Sequence, residues 1–187
     1  MDSTIEIAER GDVLTDVATR GNAHDFDFLF GAWHIDNERR RTRLRGAEDW
    51  ERFDAECMCW PILGGVGNVD EFRPSWPGHE GFRGASVRIF DPATGTWNIH
   101  WADNVRFALF PPVVGAFRDG VGEFFGDDVE AESPVRVRFR WSDITPTSVR
   151  WEQAFSQDGG ETWESNWVMN FSRSQEAARQ AQEGASQ

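Results

Sequence analysis

Two stretches in the second half of the chain decide the fold class: residues 135–142 read VRVRFRWS and residues 149–156 read VRWEQAFS. In each, apolar side chains recur at every second position and mostly polar side chains stand between them. A strand places alternate side chains on opposite faces, whereas a helix would need apolar residues three and four apart. Both stretches therefore predict β-strands with one apolar and one solvated face. Residues 163–171 (WESNWVMNF) repeat the pattern, with Trp163, Trp167, Met169 and Phe171 on one face.

Turn signals at short intervals divide the rest of the chain into similar pieces. Asp119-Gly120 is a two-residue hairpin signal, and residues 91–95 (DPATG) form another tight turn. Because short links join neighbouring strands, the strands must pair antiparallel in sequence order, and closing this meander into an up-and-down barrel removes its two exposed edges. We predict an all-β protein with fewer than about 15% of residues in helix. About ten strands are expected, near residues 33–43, 50–60, 66–72, 82–90, 97–103, 112–118, 121–126, 135–141, 148–156 and 163–173.

The segment before the first strand carries a resemblance to a known family. Residues 26–33 read FDFLFGAW, and this resembles the opening of calycin-like barrels, in which a short N-terminal plug leads into Gly-x-Trp. Here Gly31 permits the tight turn and Trp33 would fill the barrel base. Residues 90–94 (FDPAT), 101–103 (WAD), 151–156 (WEQAFS), 163–164 (WE) and 166–167 (NW) look like a bacterial family of uncharacterised calycin-like domains. The resemblance runs from about residue 26 to 173 and implies a barrel with an internal cavity.

The resemblance also brings expectations about ligands. Lipocalins, fatty-acid-binding proteins and the haem-binding nitrobindins hold hydrophobic ligands inside the barrel. The haem members take their iron ligand from late in the chain, and this sequence has no histidine after His100, so we expect no cofactor. In lipocalins a late arginine often lies over the base tryptophan, a position that matches Arg173.

Composition and charge exclude several classes of function. Arginine is present but lysine and tyrosine are absent, so Schiff-base chemistry, a Walker-type phosphate lysine and a tyrosine general acid are excluded. Acidic residues outnumber basic ones 32 to 19, which gives a formal charge of -13. Nucleic-acid binding is not expected, because phosphate contacts need clustered positive charge.

The ends of the chain and the two cysteines suggest organisation and compartment. We predict a flexible acidic N-terminal arm over residues 1–22, a barrel over 23–173 and a flexible C-terminal tail over 174–187. The sequence has neither a basic, apolar leader nor an apolar run of about 18 residues, so a cytoplasmic protein without a membrane segment is expected. Cys57 and Cys59 lie two apart in an extended segment, where an easy disulfide is excluded. We expect two free thiols, and the scattered histidines predict no metal site.

Ten tryptophans and 15 phenylalanines favour an aromatic barrel interior, in which rings fill the core or line a cavity. We predict that the lumen binds a hydrophobic or aromatic small molecule. Polar residues in phase with the rings would orient it. The predicted ligand-binding residues are Asn37, Arg39, Trp101, Asp103, Trp151, Gln153 and Trp167.

Arg39 belongs to a basic run, residues 38–45 (ERRRTRLR), which alternation divides between two faces. If buried, Arg39 would need an acidic partner, and Asp103 or Glu71 is the candidate; an anionic ligand is the other possibility. The first alternative function is a cofactor-independent isomerase or cyclase of specialised metabolism, with His100, Asp103 and Arg39 as the catalytic candidates. His100 is opposite in phase to Trp97 and Trp101, so it would reach the lumen only if a bulge reversed the strand. A second alternative is an interaction module with an exposed tryptophan-rich surface.

Residues 156–163 (SQDGGETW) match the Ser-x-Asp-x-Gly-x-Thr-Trp hairpin known as the Asp box. Its side chains hydrogen-bond the backbone of the turn, so we predict a structural role.

Overall fold

The computed structural model describes residues 21–173, and β-strands dominate this range. Within it there is no α-helix, and two single turns of 3-10 helix span Asp27–Leu29 and Leu63–Gly65. The all-β prediction is confirmed. Residues 1–20 of the predicted arm and the predicted tail lie outside the described residues. The strands are β1 (Gly31–Arg40), β2 (Trp50–Ile62), β3 (Gly67–Ser75), β4 (Gly84–Asp91), β5 (Thr96–Asp103), β6 (Ala108–Leu109), β7 (Val113–Arg118), β8 (Val121–Glu130), β9 (Ser133–Ser142), β10 (Ser148–Ser156) and β11 (Glu164–Arg173).

The strands close into an antiparallel up-and-down barrel of ten strands, as the sequence predicts. Apart from the short β6, each strand pairs with its neighbours in the chain, so that β4 pairs with β5 and β5 with β7, and β1 closes the barrel against β11. The short strand β6 lies beside β5 and was not predicted. No helix in the described part of the chain is long and apolar enough to span a membrane.

One end of the barrel, the base, is closed by the segment that precedes β1. Phe26 is fully buried and packs edge-on against Trp97 and Phe117, with ring centroids 5.0 and 4.9 Å apart. Trp33 is also fully buried, and its indole N–H donates to the carbonyl of Leu29 at 2.7 Å. The predicted N-terminal plug and the burial of Trp33 are thus both observed.

Arg173, at the end of β11, lies over Trp33 with its guanidinium carbon 3.8 Å from the ring centroid. It donates to the carbonyls of Phe30 and Phe28 at 2.6 and 2.8 Å, so it ties the plug to the last strand. Gly31 has a φ of +100°, a backbone conformation that residues other than glycine rarely adopt. The expected arrangement of glycine, tryptophan and late arginine is therefore present at the base.

The opposite end, the mouth, carries the loops 41–49, 76–83, 104–112, 131–132 and 157–163, because β1 starts at the base and the strands alternate in direction. The last of these is the Asp-box hairpin, in which Ser156 Oγ accepts from the backbone N–H of Gly160 and Asp158 Oδ1 accepts from that of Thr162, each at 2.9 Å. Hydrogen bonds from Ser156 and Thr162 lower the pKa of Asp158 below its ordinary value. The predicted structural role is confirmed.

A bulge in this hairpin corrects one detail of the predicted pattern. Gln153 pairs with Trp167 and Ala154 pairs with Ser165, so Asn166 is skipped in the register. Because Asn166 is skipped, the side chains that precede it face the opposite way from the alternation of the later part of β11. Trp163 consequently leaves the inner face, where the alternation placed it, and packs beside Phe125 at 5.9 Å.

Candidate functional site

The barrel interior contains a cavity of about 320 Å³ that reaches the mouth. This volume lies at the lower end of the range of about 300 to 1,000 Å³ for ligand sites. Gly84 leaves space for the Trp101 ring in the cavity wall, because a Cβ at residue 84 would collide with that ring. The three tryptophans among the predicted ligand-binding residues, Trp101, Trp151 and Trp167, all line the cavity. Its aromatic lining comprises Phe72, Trp76, Phe82, Trp101, Phe110, Phe139, Trp141, Trp151, Phe155, Trp167 and Phe171.

Arg39 lies among these rings near the mouth. Its guanidinium carbon is 4.8 Å from the Trp76 ring centroid and 5.2 Å from that of Trp167, which is cation–π range. Burial, together with the nearby charge of Arg43, lowers the pKa of Arg39 to about 10. The inward orientation expected for Arg39 is observed, and it brings a cation to the aromatic lumen.

The acidic partner of Arg39 differs from the two that were expected. Arg39 and Glu51 are cross-strand neighbours, and their side chains approach to 3.5 Å. Glu71 lies on the outer face and pairs with Arg73 instead. The register of β1 against β2 makes Glu51 the partner of Arg39, and the sequence alone does not reveal that register.

Asn37 and Gln153 both point inward but have different surroundings. Asn37 is buried behind the wall, where its Oδ1 accepts from the indole N–H of Trp167 at 3.1 Å; it is not among the cavity-lining residues. Gln153 lines the cavity and donates from Nε2 to Oδ1 of the fully buried Asn166 at 2.7 Å. Asn37 thus orients a wall ring, whereas Gln153 can face a ligand.

Asp103 lines the cavity at the end of β5, where its carboxylate is largely occupied. It accepts from the indole N–H of Trp101 at 3.3 Å and from the backbone N–H groups of Val105 and Arg106 at 3.0 and 2.7 Å. Asp103 therefore shapes the loop that follows β5.

His100 lies on the outer face, because β4 and β5 pair without a register shift and no bulge reverses the phase. Its Nδ1 is 3.0 Å from the carbonyl oxygen of Phe110. The three predicted catalytic candidates therefore do not meet: Arg39 and Asp103 line the cavity and His100 does not. The outward orientation that the alternation predicts for His100 is observed, and the alternative that needed a phase reversal is wrong. A histidine that does line the mouth is His79, stacked on Trp76 at 3.9 Å.

The deep end of the cavity holds an ion pair that sequence reasoning missed, Asp70 and Arg88, called here the floor pair. Both residues line the cavity and both are buried. Arg88 NH1 is 2.6 Å from Asp70 Oδ2 and donates to Asn68 Oδ1 at 2.9 Å. The Arg88 guanidinium lies 5.4 Å from the Phe26 ring centroid and 5.5 Å from that of Trp141. Burial by itself lowers the pKa of Arg88, but the Asp70 carboxylate leads the interactions that raise it overall, so Arg88 keeps its charge.

The alternation of β4 and of the first half of β3 runs opposite to the usual rule, because polar side chains face inward there. Asp70, Ser86 and Arg88 face the lumen, whereas Val87 and Ile89 face outward and Ile89 is exposed. A pattern that assigns apolar residues to the interior places these side chains on the wrong faces. One signal in the sequence could have identified Asp70 as an inward residue. It lies two positions before Phe72 and therefore shares the face of that aromatic side chain.

The part of the chain described contains a cluster of possible metal ligands outside the barrel. Ligand atoms of His34, Asp36 and Asp54 lie within 4.8 Å of one another on the outer face. A hydrogen bond from His34 to Glu56, followed by nearby carboxylates, raises the pKa of His34. The structure does not test the prediction of no metal site, which stays a prediction.

Cys57 and Cys59 are both free and buried, in agreement with the predicted thiols. Burial raises the pKa of Cys57 well above its ordinary value and that of Cys59 to about 12. Since the thiolate is the reactive form, the folded protein should react slowly with an aromatic disulfide reagent at pH 8. After unfolding without reductant, two thiols per chain should titrate rapidly. Fewer than two would contradict the free-thiol assignment, and rapid reaction before unfolding would contradict the burial.

Comparisons with known proteins support the barrel and go no further. No protein-family model matches the chain, and no curated protein sequence matches it. Rv2717c from M. tuberculosis is similar in structure, with a TM-score of 0.54, 11% identity, and coverage of 83% of this chain and 99% of that one. What they share is the fold.

Two further solved structures resemble the chain less. The redesigned beta barrel b11L5F_LGL gives a TM-score of 0.46 with 11% identity, and covers 83% of this chain and 99% of that one. EF1p2_mFAP2b, solved bound to DFHBI, gives 0.45 with 10% identity, and covers 81% and 98%. At these values neither likeness bears on function, which has to be argued from the lumen itself.

Proposed function

We propose that this protein binds a hydrophobic or aromatic small molecule in the barrel lumen. The observation that carries the proposal is the cavity of about 320 Å³ with predominantly aromatic walls and a few inward polar groups. A filled barrel would leave no such space. Apolar walls supply most of the affinity of a ligand site, and a few polar groups set the orientation.

The arrangement of the rings suggests a flat ligand. Trp151 and Trp167 meet edge to face at 5.9 Å, and Phe139 meets Trp151 at 4.9 Å. Such contacts hold the rings in fixed orientations, so a planar ligand would meet preformed faces rather than mobile side chains. Arg39, stacked on Trp76 and Trp167 at the mouth, would lie beside the outer end of the ligand.

We also propose that the chain is a calycin-like domain of bacterial origin, working in the cytoplasm. The plug, Trp33 and Arg173 at the barrel base support the calycin-like assignment, and the bacterial origin comes with the resemblance of the sequence to a bacterial family. The cofactor-independent isomerase or cyclase is the weaker candidate, because His100 lies outside the lumen and the carboxylate of Asp103 is occupied by the loop after β5.

A lumen-blocking variant tests the binding proposal. Val137 lines the cavity, and Val137→Trp would place an indole in the space where the ligand is expected. Val114, on the outer face and 38% exposed, gives the matched control Val114→Trp. N-phenyl-1-naphthylamine, a neutral aromatic probe, should gain fluorescence with the parent protein and with Val114→Trp. Its affinity for Val137→Trp should fall at least about tenfold, the equivalent of roughly 1.4 kcal/mol.

The variants should first be shown to be folded by their far-ultraviolet circular dichroism. Equal affinity of the probe for parent and Val137→Trp would mean that it binds elsewhere on the protein. The same result, or no binding to the parent, would remove the support for a lumen site and make the interaction module the better account.

A further inference from the structure

One polar side chain interrupts the aromatic wall of the cavity. Gln153 lies on the inner face of β10 between Trp151 and Phe155, and its cross-strand neighbours are Phe139 and Trp167. All four of these rings line the cavity, as Gln153 does. An amide placed among aromatic rings loses hydrogen bonds to water unless other groups replace them. The hydrogen-bonding groups of Gln153 therefore have to find other partners.

The bulge in β11 fixes the orientation of this amide. Asn166, the residue that the register skips, is fully buried, and its Oδ1 accepts from Gln153 Nε2 at 2.7 Å. Because Asn166 Oδ1 can only accept, it holds the nitrogen of the Gln153 amide and turns Oε1 away from itself. With that amide turned the other way, two oxygens would face each other. Asn166 is thus a positioning residue for Gln153, and bulges often re-aim a side chain next to a functional site.

Gln153 Oε1 is left as an acceptor that the protein does not use. It accepts no hydrogen bond from the residues that the structure describes. It is not enclosed either, because Gln153 is partly exposed and Oε1 is not among the buried polar atoms without a partner in this part of the chain, whereas Asn166 Nδ2 is. Since Gln153 faces inward, the exposed part of its amide borders the cavity. A ligand in the lumen can therefore reach this oxygen.

The chemistry of Gln153 Oε1 restricts the ligand. An amide oxygen only accepts, so the ligand group that meets it has to donate through an O–H or N–H. A ketone, an ether or an ionised carboxylate has no such hydrogen at neutral pH. A cationic donor would gain from aromatic rings, but Arg39 and Arg43 already hold cation–π positions on Trp167 and Phe155, at 5.2 and 5.5 Å. These contacts favour an uncharged donor.

We propose that Gln153 recognises an uncharged aromatic ligand that donates a hydrogen bond to its Oε1, such as a phenol or an aromatic N–H heterocycle. This inference rests on the proposed function, since it names the polar group of the lumen ligand. The ring system of the ligand packs against the rings around Gln153 and gains most of its affinity there. The hydrogen bond to Oε1 then selects donors from among aromatic molecules of similar size.

Three naphthalenes that differ in one substituent test the inference: 2-naphthol, which donates; 2-methoxynaphthalene, which only accepts; and 2-methylnaphthalene, which does neither. Their affinities are measured by displacement of N-phenyl-1-naphthylamine from the folded protein. Because the three compounds differ in their affinity for water, the quantity compared is the affinity of each polar compound relative to 2-methylnaphthalene. Gln153→Met keeps the length of the side chain and removes the amide. Gln157→Met is the matched control, because Gln157 is exposed in the Asp-box hairpin.

In Gln153→Met the relative affinity of 2-naphthol should fall about fivefold, the typical effect of losing one uncharged hydrogen bond. The relative affinity of 2-methoxynaphthalene should not change, and Gln157→Met should leave both values as in the parent. Asn166→Ala frees the Gln153 amide to turn, so 2-naphthol should lose part of its advantage and 2-methoxynaphthalene should gain. A cationic donor, 2-naphthylmethylammonium, should bind the parent more weakly than 2-naphthol. Circular dichroism establishes folding before the titrations, and Gln153→Leu replaces Gln153→Met if that variant does not fold.

The outcomes separate the two proposals. If N-phenyl-1-naphthylamine does not bind the parent, the lumen-binding function fails. If it binds but 2-naphthol does not displace it, or if Gln153→Met leaves the relative affinity of 2-naphthol unchanged, the inference is overturned and lumen binding stands. A fall for 2-methoxynaphthalene in place of 2-naphthol would mean that the amide presents its nitrogen, which also overturns the inference. Tighter binding of the ammonium compound than of 2-naphthol by the parent would overturn the restriction to uncharged donors.

Discussion

Replacing Trp33 by alanine should lower the free energy of unfolding by about 3 to 5 kcal/mol, the range for deleting a core aromatic. Trp33 is fully buried, and its loss would leave a void beneath the plug. It would also leave the carbonyl of Leu29 without its indole donor and Arg173 without the ring on which it lies. The substitution should therefore weaken both the plug before β1 and the packing of Arg173 at the end of β11.

Urea unfolding of parent and variant, followed by circular dichroism, measures this change. Trp60→Ala is the matched control, because Trp60 is 44% exposed on the outer face of β2 and leaves no internal void. We expect the control to stay within about 1 kcal/mol of the parent. A Trp33→Ala variant as stable as the control would mean that the plug contributes little to the barrel.

The fold could be predicted from sequence because many of the strands follow the usual alternation. Along β9, Val135, Val137 and Trp141 are buried and the arginines between them are more exposed, as the pattern VRVRFRWS predicts. The short turns then leave few topologies, since strands joined by tight links pair with their neighbours. Local sequence and global fold agree in this half of the chain.

Much of the cavity wall could be predicted for the same reason, but other parts of the site could not. Trp76 follows β3 in a loop, where alternation does not apply, yet it lines the cavity and stacks on Phe53 at 4.7 Å. The partner of Arg39 depends on how the loop 41–49 sets the register of β1 against β2. The alternation of side chains along a single strand does not predict contacts of this kind.

The floor pair was missed because β4 and the first half of β3 place polar side chains inside and apolar ones outside. A buried charge is tolerated when it is paired and hydrogen-bonded, and the partner of Arg88 lies on the neighbouring strand. The sequence contains both residues, but only the pairing of β3 with β4 brings them together. Inverted alternation of this kind departs from the pattern that stability alone favours, as residues at functional sites do.

Removing one member of the floor pair should destabilise the barrel strongly. Asp70→Leu leaves Arg88 charged and unpaired among aromatic rings, and breaking a buried pair in this way costs about 3 to 5 kcal/mol. Arg88→Met should cost a similar amount, because it leaves the Asp70 carboxylate buried with the Ser86 N–H as its remaining hydrogen-bond partner. Urea unfolding of both variants at pH 7 measures the two changes.

The double variant Asp70→Leu/Arg88→Met should be much more stable than the sum of the single changes predicts. Replacing a buried ion pair by apolar side chains of similar size is often neutral or stabilising, because the cost of desolvating two charges is removed together with their attraction. We expect the double-mutant cycle to give a coupling of at least about 2 kcal/mol between the two positions. Additive effects would contradict a direct interaction between Asp70 and Arg88. A double variant as stable as the parent would show that the fold does not need the charges of the floor pair.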